Sequence, residues 1–169
     1  MAEHANSNPI VFTNIKLAED LLAPLIGVMG VASAMILTAL GAAYGTAKAM
    51  IGIAAMAPRR PGMIMKSVVP VVMAGVLAIY GLVVGVIIAQ KLDKPPHYSL
   101  YSGFCHFSAG LAVGICGLAS GWCIGVLGDF GSRASAMRPQ LFMTSVLMTG
   151  FAMVLGMYGL IAALLQGVK

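Results

Sequence analysis

No Asp, Glu, Lys or Arg falls inside any of the four long apolar runs of this 169-residue sequence. Charge is scarce everywhere: 9% of residues carry it, against about 25% in an ordinary soluble domain, while 60% are hydrophobic and the mean hydropathy is +0.96. That composition excludes a soluble globular domain and makes lipid the solvent. Bare runs also argue against an ordinary small-molecule transporter, whose sites use intramembrane charges or interrupted helices. A Ser/His/acid constellation is missing, and "GAAYGTAK" lacks the spacing and strand context of a phosphate loop, so the chain is not read as an enzyme. No cofactor and no metal site are expected. Cys105, Cys116 and Cys123 are the only cysteines. Their spacing spreads them along a helix by about 16 and about 10 Å, too far to share an ion held at ~2.3 Å, and they read as packing residues.

The four runs are 25–47, 67–89, 104–127 and 142–165, each 23 or 24 residues long, where a helix crossing ~30 Å of hydrocarbon needs ~20. Helix is expected throughout, because lipid offers backbone groups no partners. Residues 1–24, with Glu3, Glu19 and Asp20, read as a polar extension rather than a cleaved signal peptide, with a weakly amphipathic short surface helix or a disordered arm over 10–22. The domain reading is 1–24 as extension, 25–90 as a first helical hairpin, 91–103 as a linker and 104–169 as a second hairpin. All five acids are assigned to loops or tails, Asp129 among them.

A net charge of +5 would suggest nucleic acid in a soluble chain, but here the charges sort by membrane side. Lys48, Arg59, Arg60 and Lys66 flank the first connection, and Arg133 and Arg138 lie in the third, read as a loop over 128–139. Lys16, Lys91, Lys94 and Lys169, balanced by Glu3, Glu19, Asp20 and Asp93, fall on the opposite side. The positive-inside bias makes the first and third connections cytosolic and both termini luminal or external. Nucleic acid is not implied.

The chain also repeats itself. A slide of 78 lays Arg60-Pro61 on Arg138-Pro139, Ser67-Val68 on Ser145-Val146, and Tyr80-Gly81-Leu82 on Tyr158-Gly159-Leu160. A slide of 76 lays Gly41, Gly45 and Gly52 on Gly117, Gly121 and Gly128. Two copies of one hairpin in parallel topology follow. In the third run Gly110, Gly114, Gly117, Gly121, Gly125 and Gly128 form one helical stripe; the first run matches it with Gly27, Gly30, Ala34, Thr38, Gly41 and Gly45. Such faces pack backbone to backbone. Two architectures use them: a concentric ring of many copies with the glycine-striped helices innermost, or a four-helix bundle in which small residues merely permit close contact.

"LGAAYGTAKAMIGIAAM" (40–56), "IMKSVVPVVMAGVLAIYGLVV" (64–84) and "LFMTSVLMTGFAMVLGMYGLI" (141–161) resemble the proteolipid family of vacuolar-type proton-translocating ATPases. The resemblance implies an all-α membrane protein with four transmembrane helices as two tandem hairpins, assembling into a two-layer rotor ring in a vacuolar or other acidic endomembrane. Implied partners are other ring proteolipids, the stator a-subunit, central-stalk subunits and membrane lipid. Arg59, Arg60, Arg133 and Arg138 are where a stalk would dock. The family's fourth helix carries one proton-binding glutamate in the pattern F-A-E-V-L-G-x-Y-G-L. In this sequence Phe151-Ala152 and Val154-Leu155-Gly156 keep the pattern, and Met153 occupies the glutamate's place.

Nothing else replaces that acid. The first-hairpin counterpart of Met153 is Gly75. A phenol, ionising only near pH ~10, is a partner and not a carrier, which is the role the resemblance implies for Tyr80 toward a neighbouring subunit's carboxylate. His106 reads as a structural histidine near the luminal side, and Lys48 as a snorkelling residue. The resulting expectation is a proton-silent ring member beside glutamate-bearing paralogues. The alternative is a proteolipid oligomer with a structural or pore role outside the pump.

Overall fold

The computed structural model describes residues 9–92 and 99–167, and their side chains apart from those at 9–13, 15 and 20. Expectations resting on Glu3, Asp93, Lys94, Lys169, the Asp20 side chain and residues 93–98 of the 91–103 linker lie outside the described residues.

The apolar runs become helices α1 (Pro9–Met56), α2 (Ile64–Ser67), α3 (Val69–Gln90), α4 (Leu100–Met137) and α5 (Leu141–Gly167), with a 3-10 turn at Pro61–Met63 before α2. Among the described residues, four helical stretches are long and apolar enough to cross a membrane, one each around α1, α3, α4 and α5. The chain is an all-α, multi-pass membrane protein.

Two expected boundaries move. Residues 10–22 are the beginning of α1 and not a separate element. Pro24 lies inside that helix and removes one backbone donor, yet its neighbour Ala23 is fully buried with its carbonyl against Gly103 of α4, and this packing carries the helix through. At 48 residues α1 is about 72 Å long, well beyond the hydrocarbon thickness. The loop expected over 128–139 is mostly helix too, because α4 continues to Met137 and leaves only 138–140 as the connection. Asp129 is therefore a helical residue, 9% exposed, and not a loop acid. The small polar residues that suggest a loop are satisfied within the helix: Ser132 Oγ donates to the Asp129 carbonyl at 2.9 Å and Ser135 Oγ to the Ser132 carbonyl at 2.8 Å. Pro139 ends α4, since the residue before a proline is pushed out of the α region, and Arg138 is accordingly extended at φ −135, ψ 114. Ser99 caps the other end, accepting from the Ser102 amide at 3.3 Å.

α1 and α4 make the most extensive inter-helix contact and run parallel, Gly30 lying against His106, Gly41 against Gly117 and Gly52 against Asp129. α3 returns antiparallel on α1, with Gly81 against Ala34 and Thr38, and α5 on α4, with Gly159 against Ala112 and Cys116. α3 also touches both α4 and α5. Within one chain the helices therefore form two layers, α1 and α4 in one and α3 and α5 in the other. One buried cluster joins all four helices through Ala34, Val84, Ile88, Ala109, Val113 and Ala163. A second joins Ala74 and Leu77 of α3, Ile124 of α4 and Ala152 of α5.

Candidate functional site

Met153 sits in the middle of α5, a helix of 27 residues, and is half-buried. It packs against the second cluster, as do Tyr80 of α3 and Cys123 and Leu127 of α4. One turn on, Gly156 lets α5 close on Leu77 and Ser120, where a Cβ would stand 2.6 and 2.9 Å from their side chains. The Tyr80 phenol and, one turn on, the Ser120 hydroxyl are polar groups near this cluster, and Ser120 donates to the Gly117 carbonyl of its own helix at 3.4 Å. Tyr80 and Met153 meet the same cluster within one chain, whereas the resemblance assigns Tyr80 to a neighbouring subunit's site; the contact of α3 with α5 is what brings them together.

Hydroxyls in the spans are turned back onto their own helices. Thr38 Oγ1 donates to the Ala34 carbonyl at 2.8 Å, Thr149 Oγ1 to Ser145 at 2.8 Å and Ser145 Oγ to Phe142 at 2.8 Å. Such bonds to residue i−3 or i−4 satisfy the hydroxyl locally, and Met153 is left a half-buried thioether against an apolar cluster. Gly75, its repeat counterpart, has open space where a side chain would be. Asp129 does not substitute for an acid there: it lies where α4 meets Gly52 of α1, and its Oδ1 accepts from Arg133 Nε at 2.7 Å. The four-residue spacing of Asp129 and Arg133 is a signal for this pair that a loop assignment hides.

The glycines expected to pack a ring face each other inside the chain. A Cβ at Gly41 would lie 2.7 Å from the Gly117 carbonyl oxygen, at Gly45 2.6 Å from that of Gly121, and at Gly125 2.9 Å from the Gly45 Cα. Gly110 and Gly121 press on the Gly30 and Gly41 backbones, Gly114 on Leu37, and Gly128 on Ala49 and Pro70. At Gly30, Gly41, Gly45, Gly110, Gly121 and Gly125 the added carbon would meet backbone, so no side chain fits at these positions without moving a helix. Periodicity finds the stripes but does not say that they mate with one another.

At the end of the bundle where α1 and α4 stop, Arg59, Arg60 and Arg138 are exposed. Arg133 is different, being engaged with Asp129 at 53% exposure. Beneath them the buried Met56 thioether accepts from Ser67 Oγ at 3.7 Å and Ser135 Oγ at 3.5 Å, tying α1, α2 and α4 together. His106 is buried, 4% exposed, and Lys48 half-buried. Cys105, Cys116 and Cys123 are free thiols, each half-buried. Tyr44 and Trp122 stack across the α1–α4 seam with ring centroids 4.6 Å apart, a contact that no sequence pattern announces.

The model of the ATP synthase C subunit family matches twice, over residues 29–88 and 107–166. The two matches start 78 residues apart (107 − 29), the period of the internal repeat. The chain is 59% identical over 141 residues to the 16 kDa proteolipid c-subunit of the V-type proton ATPase of Nephrops norvegicus, covering 83% of this chain and 89% of that one. It is 55% identical over 147 residues to the sheep (Ovis aries) protein of the same name, covering 87% and 94%. To the c'-subunit of the V-type proton ATPase of Neurospora crassa it is 52% identical over 150 residues, covering 87% and 90%. With the duplicated hairpin, the mated glycine seam and these likenesses taken together, the chain belongs to the ATP synthase C subunit family, among the 16 kDa proteolipids of V-type proton ATPases.

Proposed function

We propose that this chain is a rotor-ring subunit of a vacuolar-type proton pump that occupies a ring position without carrying a proton. The single observation behind the reading is the thioether of Met153, half-buried against an apolar cluster where the family resemblance puts the carrier glutamate. A carboxylate there alternates between a neutral form that travels through lipid and an ionised form that must meet a stator arginine. An unpaired charge at the bilayer centre costs at least ~2.5–3.5 kcal/mol, and that cost couples rotation to ion movement. Methionine is of similar length and unbranched, so it fills the position and removes both the charge and its cost. Such a member passes the stator without exchanging a proton and lowers the number carried per turn. It would sit beside glutamate-bearing paralogues, with the basic end, exposing Arg59, Arg60 and Arg138, toward the cytosol and the central stalk, and both termini toward the lumen of an acidic compartment.

The test is chemical. A carbodiimide that labels protonated intramembrane carboxyls should leave this chain unmodified and should label a Met153→Glu variant, and rings enriched in the variant should move more protons per ATP than rings enriched in the parent. Labelling of the parent within α5, or acidification of vesicles by a ring built solely of the parent, overturns the reading. Recovery as a stable oligomer free of ATPase subunits would point instead to a role outside the pump.

A further inference from the structure

Tyr44 and Trp122 stand 78 residues apart, the same position in the two repeats, and they meet: their rings stack at 4.6 Å and 26° across the α1–α4 seam. Both are exposed. Each lies six residues beyond a side chain that its helix turns to its own hairpin partner, Thr38 toward Gly81 of α3 and Cys116 toward Gly159 of α5. At 3.6 residues per turn, six residues is about a third of a turn round the helix. The stacked pair therefore marks the side of the α1–α4 layer that α3 and α5 leave uncovered.

Along that side the chemistry is ordered. Leu40, four residues before Tyr44, and Ile115, seven before Trp122, continue the same helix faces in one direction and are exposed. In the other direction Lys48, four residues after Tyr44, is half-buried, its Cβ 3.1 Å from where a side-chain carbon on Gly125 would stand. A turn further on, Asp129 lies against Gly52, with its carboxylate taken by Arg133; seven and eleven residues after Trp122, both belong to this side as well. Among the described residues Lys48 has neither an ion pair nor a hydrogen bond. It sits ~12 Å short of the end of α1 at Met56, with apolar helix and aromatic rings below it, where an ammonium calls for a counter-charge. Its counterpart in the second repeat is Val126, so this charge comes once per chain.

We propose that Lys48, with the Tyr44–Trp122 pair beneath it, is a binding site for the phosphate of an anionic phospholipid whose acyl chains lie over Leu40 and Ile115. The order along the seam is that of the lipid itself: apolar residues at the depth of the chains, an aromatic pair at the interfacial level where Tyr and Trp settle, then the cation. Tyr44 and Trp122 add an O–H and an N–H donor at the level of the glycerol esters. Charge selects the occupant. Lys48 offers an uncommitted positive charge, and Arg133 neutralises Asp129, the one carboxylate on this side that would repel a phosphate. A zwitterionic headgroup carries its own cation toward Lys48 and gains less. Inorganic phosphate has no use for the apolar and aromatic part of the site. The inference goes beyond the rotor reading and does not rest on it.

Trp122 is the sole tryptophan, so its emission reports on lipid at this place alone. The full-length chain, stripped of native lipid in detergent and reconstituted, should be quenched by phosphatidylglycerol brominated on its acyl chains at a ~5-fold lower mole fraction than by brominated phosphatidylcholine, the preference that one basic side chain provides at a membrane surface. Lys48→Met should abolish the preference with helicity unchanged, Lys48→Gln serving as a second neutral variant, and Lys48→Arg should keep it. Arg138→Gln, at the exposed basic end, should keep it too. Equal quenching by the two lipids, quenching by neither, or a preference that survives both neutral variants overturns the site. So does a preference lost as fully in Arg138→Gln, which would make the attraction a property of the basic end at large, or one erased by added inorganic phosphate, which would make the occupant a free anion. No ATPase subunit enters the measurement, so its failure leaves the rotor reading standing, and failure of that reading leaves the lipid site standing.

Discussion

Gly121 of α4 lies directly on the backbone of Gly41 of α1, so that a side-chain carbon at 121 would overlap Gly41's carbonyl group. A seam of this kind gives a sharp positional test. Gly121→Val should lower the thermal unfolding midpoint of the detergent-solubilised protein by an amount corresponding to about 1–3 kcal/mol of overpacking. Gly150→Ala, at a site with nothing within 4 Å, should be neutral or stabilising by up to ~1 kcal/mol through helix propensity.

The Asp129–Arg133 pair should behave asymmetrically. Arg133 is half exposed and Asp129 is not, so the ion pair adds only ~0.3–0.5 kcal/mol, but Arg133→Ala leaves a buried carboxylate without that donor, a loss of about 1–3 kcal/mol. Thermal unfolding should therefore show the double variant Asp129→Ala with Arg133→Ala to be less damaged than Arg133→Ala alone.

Met56 is 1% exposed and accepts two serine hydroxyls. Met56→Leu keeps the volume, and Ser135 keeps its bond to the Ser132 carbonyl, so the loss in chemical-denaturation experiments should stay under ~1.5 kcal/mol. Met56→Ala opens a cavity where three helices meet and should lose ~2–5 kcal/mol.

Trp122 is the sole tryptophan, which makes its stack with Tyr44 readable by optical spectroscopy. Tyr44→Leu should reduce the near-ultraviolet circular dichroism of the indole and change its emission, with helicity unaltered, since Tyr44 and Trp122 are both on open surface, 38% and 55% exposed. Unchanged spectra would mean that the rings do not hold their stack in lipid or detergent.

Much of this architecture is legible in the residues alone. Long uncharged runs leave helix as the only economical backbone, and a 78-residue period predicts hairpins that superpose, as Gly81 and Gly159 do. The glycine spacing announces close contact as well. What it hides is the partner, because a stripe on α1 and a stripe on α4 look the same whether they meet each other or other copies. The 128–137 stretch misleads for a different reason: Gly, Ser and Asp are turn formers on average, and only the tertiary burial of Gly128, Ser132 and Ser135 together with their internal hydrogen bonds keeps them helical. Met153 is the most legible of all, since a residue that cannot ionise stands out among its neighbours; its company with Tyr80 in one chain depends on α3 touching α5, which no one-dimensional pattern encodes.

The opening of the second half of each hairpin differs in one respect. Pro70 stands where the other repeat has Met148, and the first hairpin accordingly restarts in pieces, with a 3-10 turn, four residues of α2 and a break at Val68 before α3, while α5 rises unbroken from Leu141. Missing backbone hydrogen bonds make a helix compliant where they are lost. The arginine-bearing end is thus joined to the membrane span by a stiff rod in one half of the molecule and by an articulated helix in the other, so that a duplicated chain acquires a rigid and a yielding side.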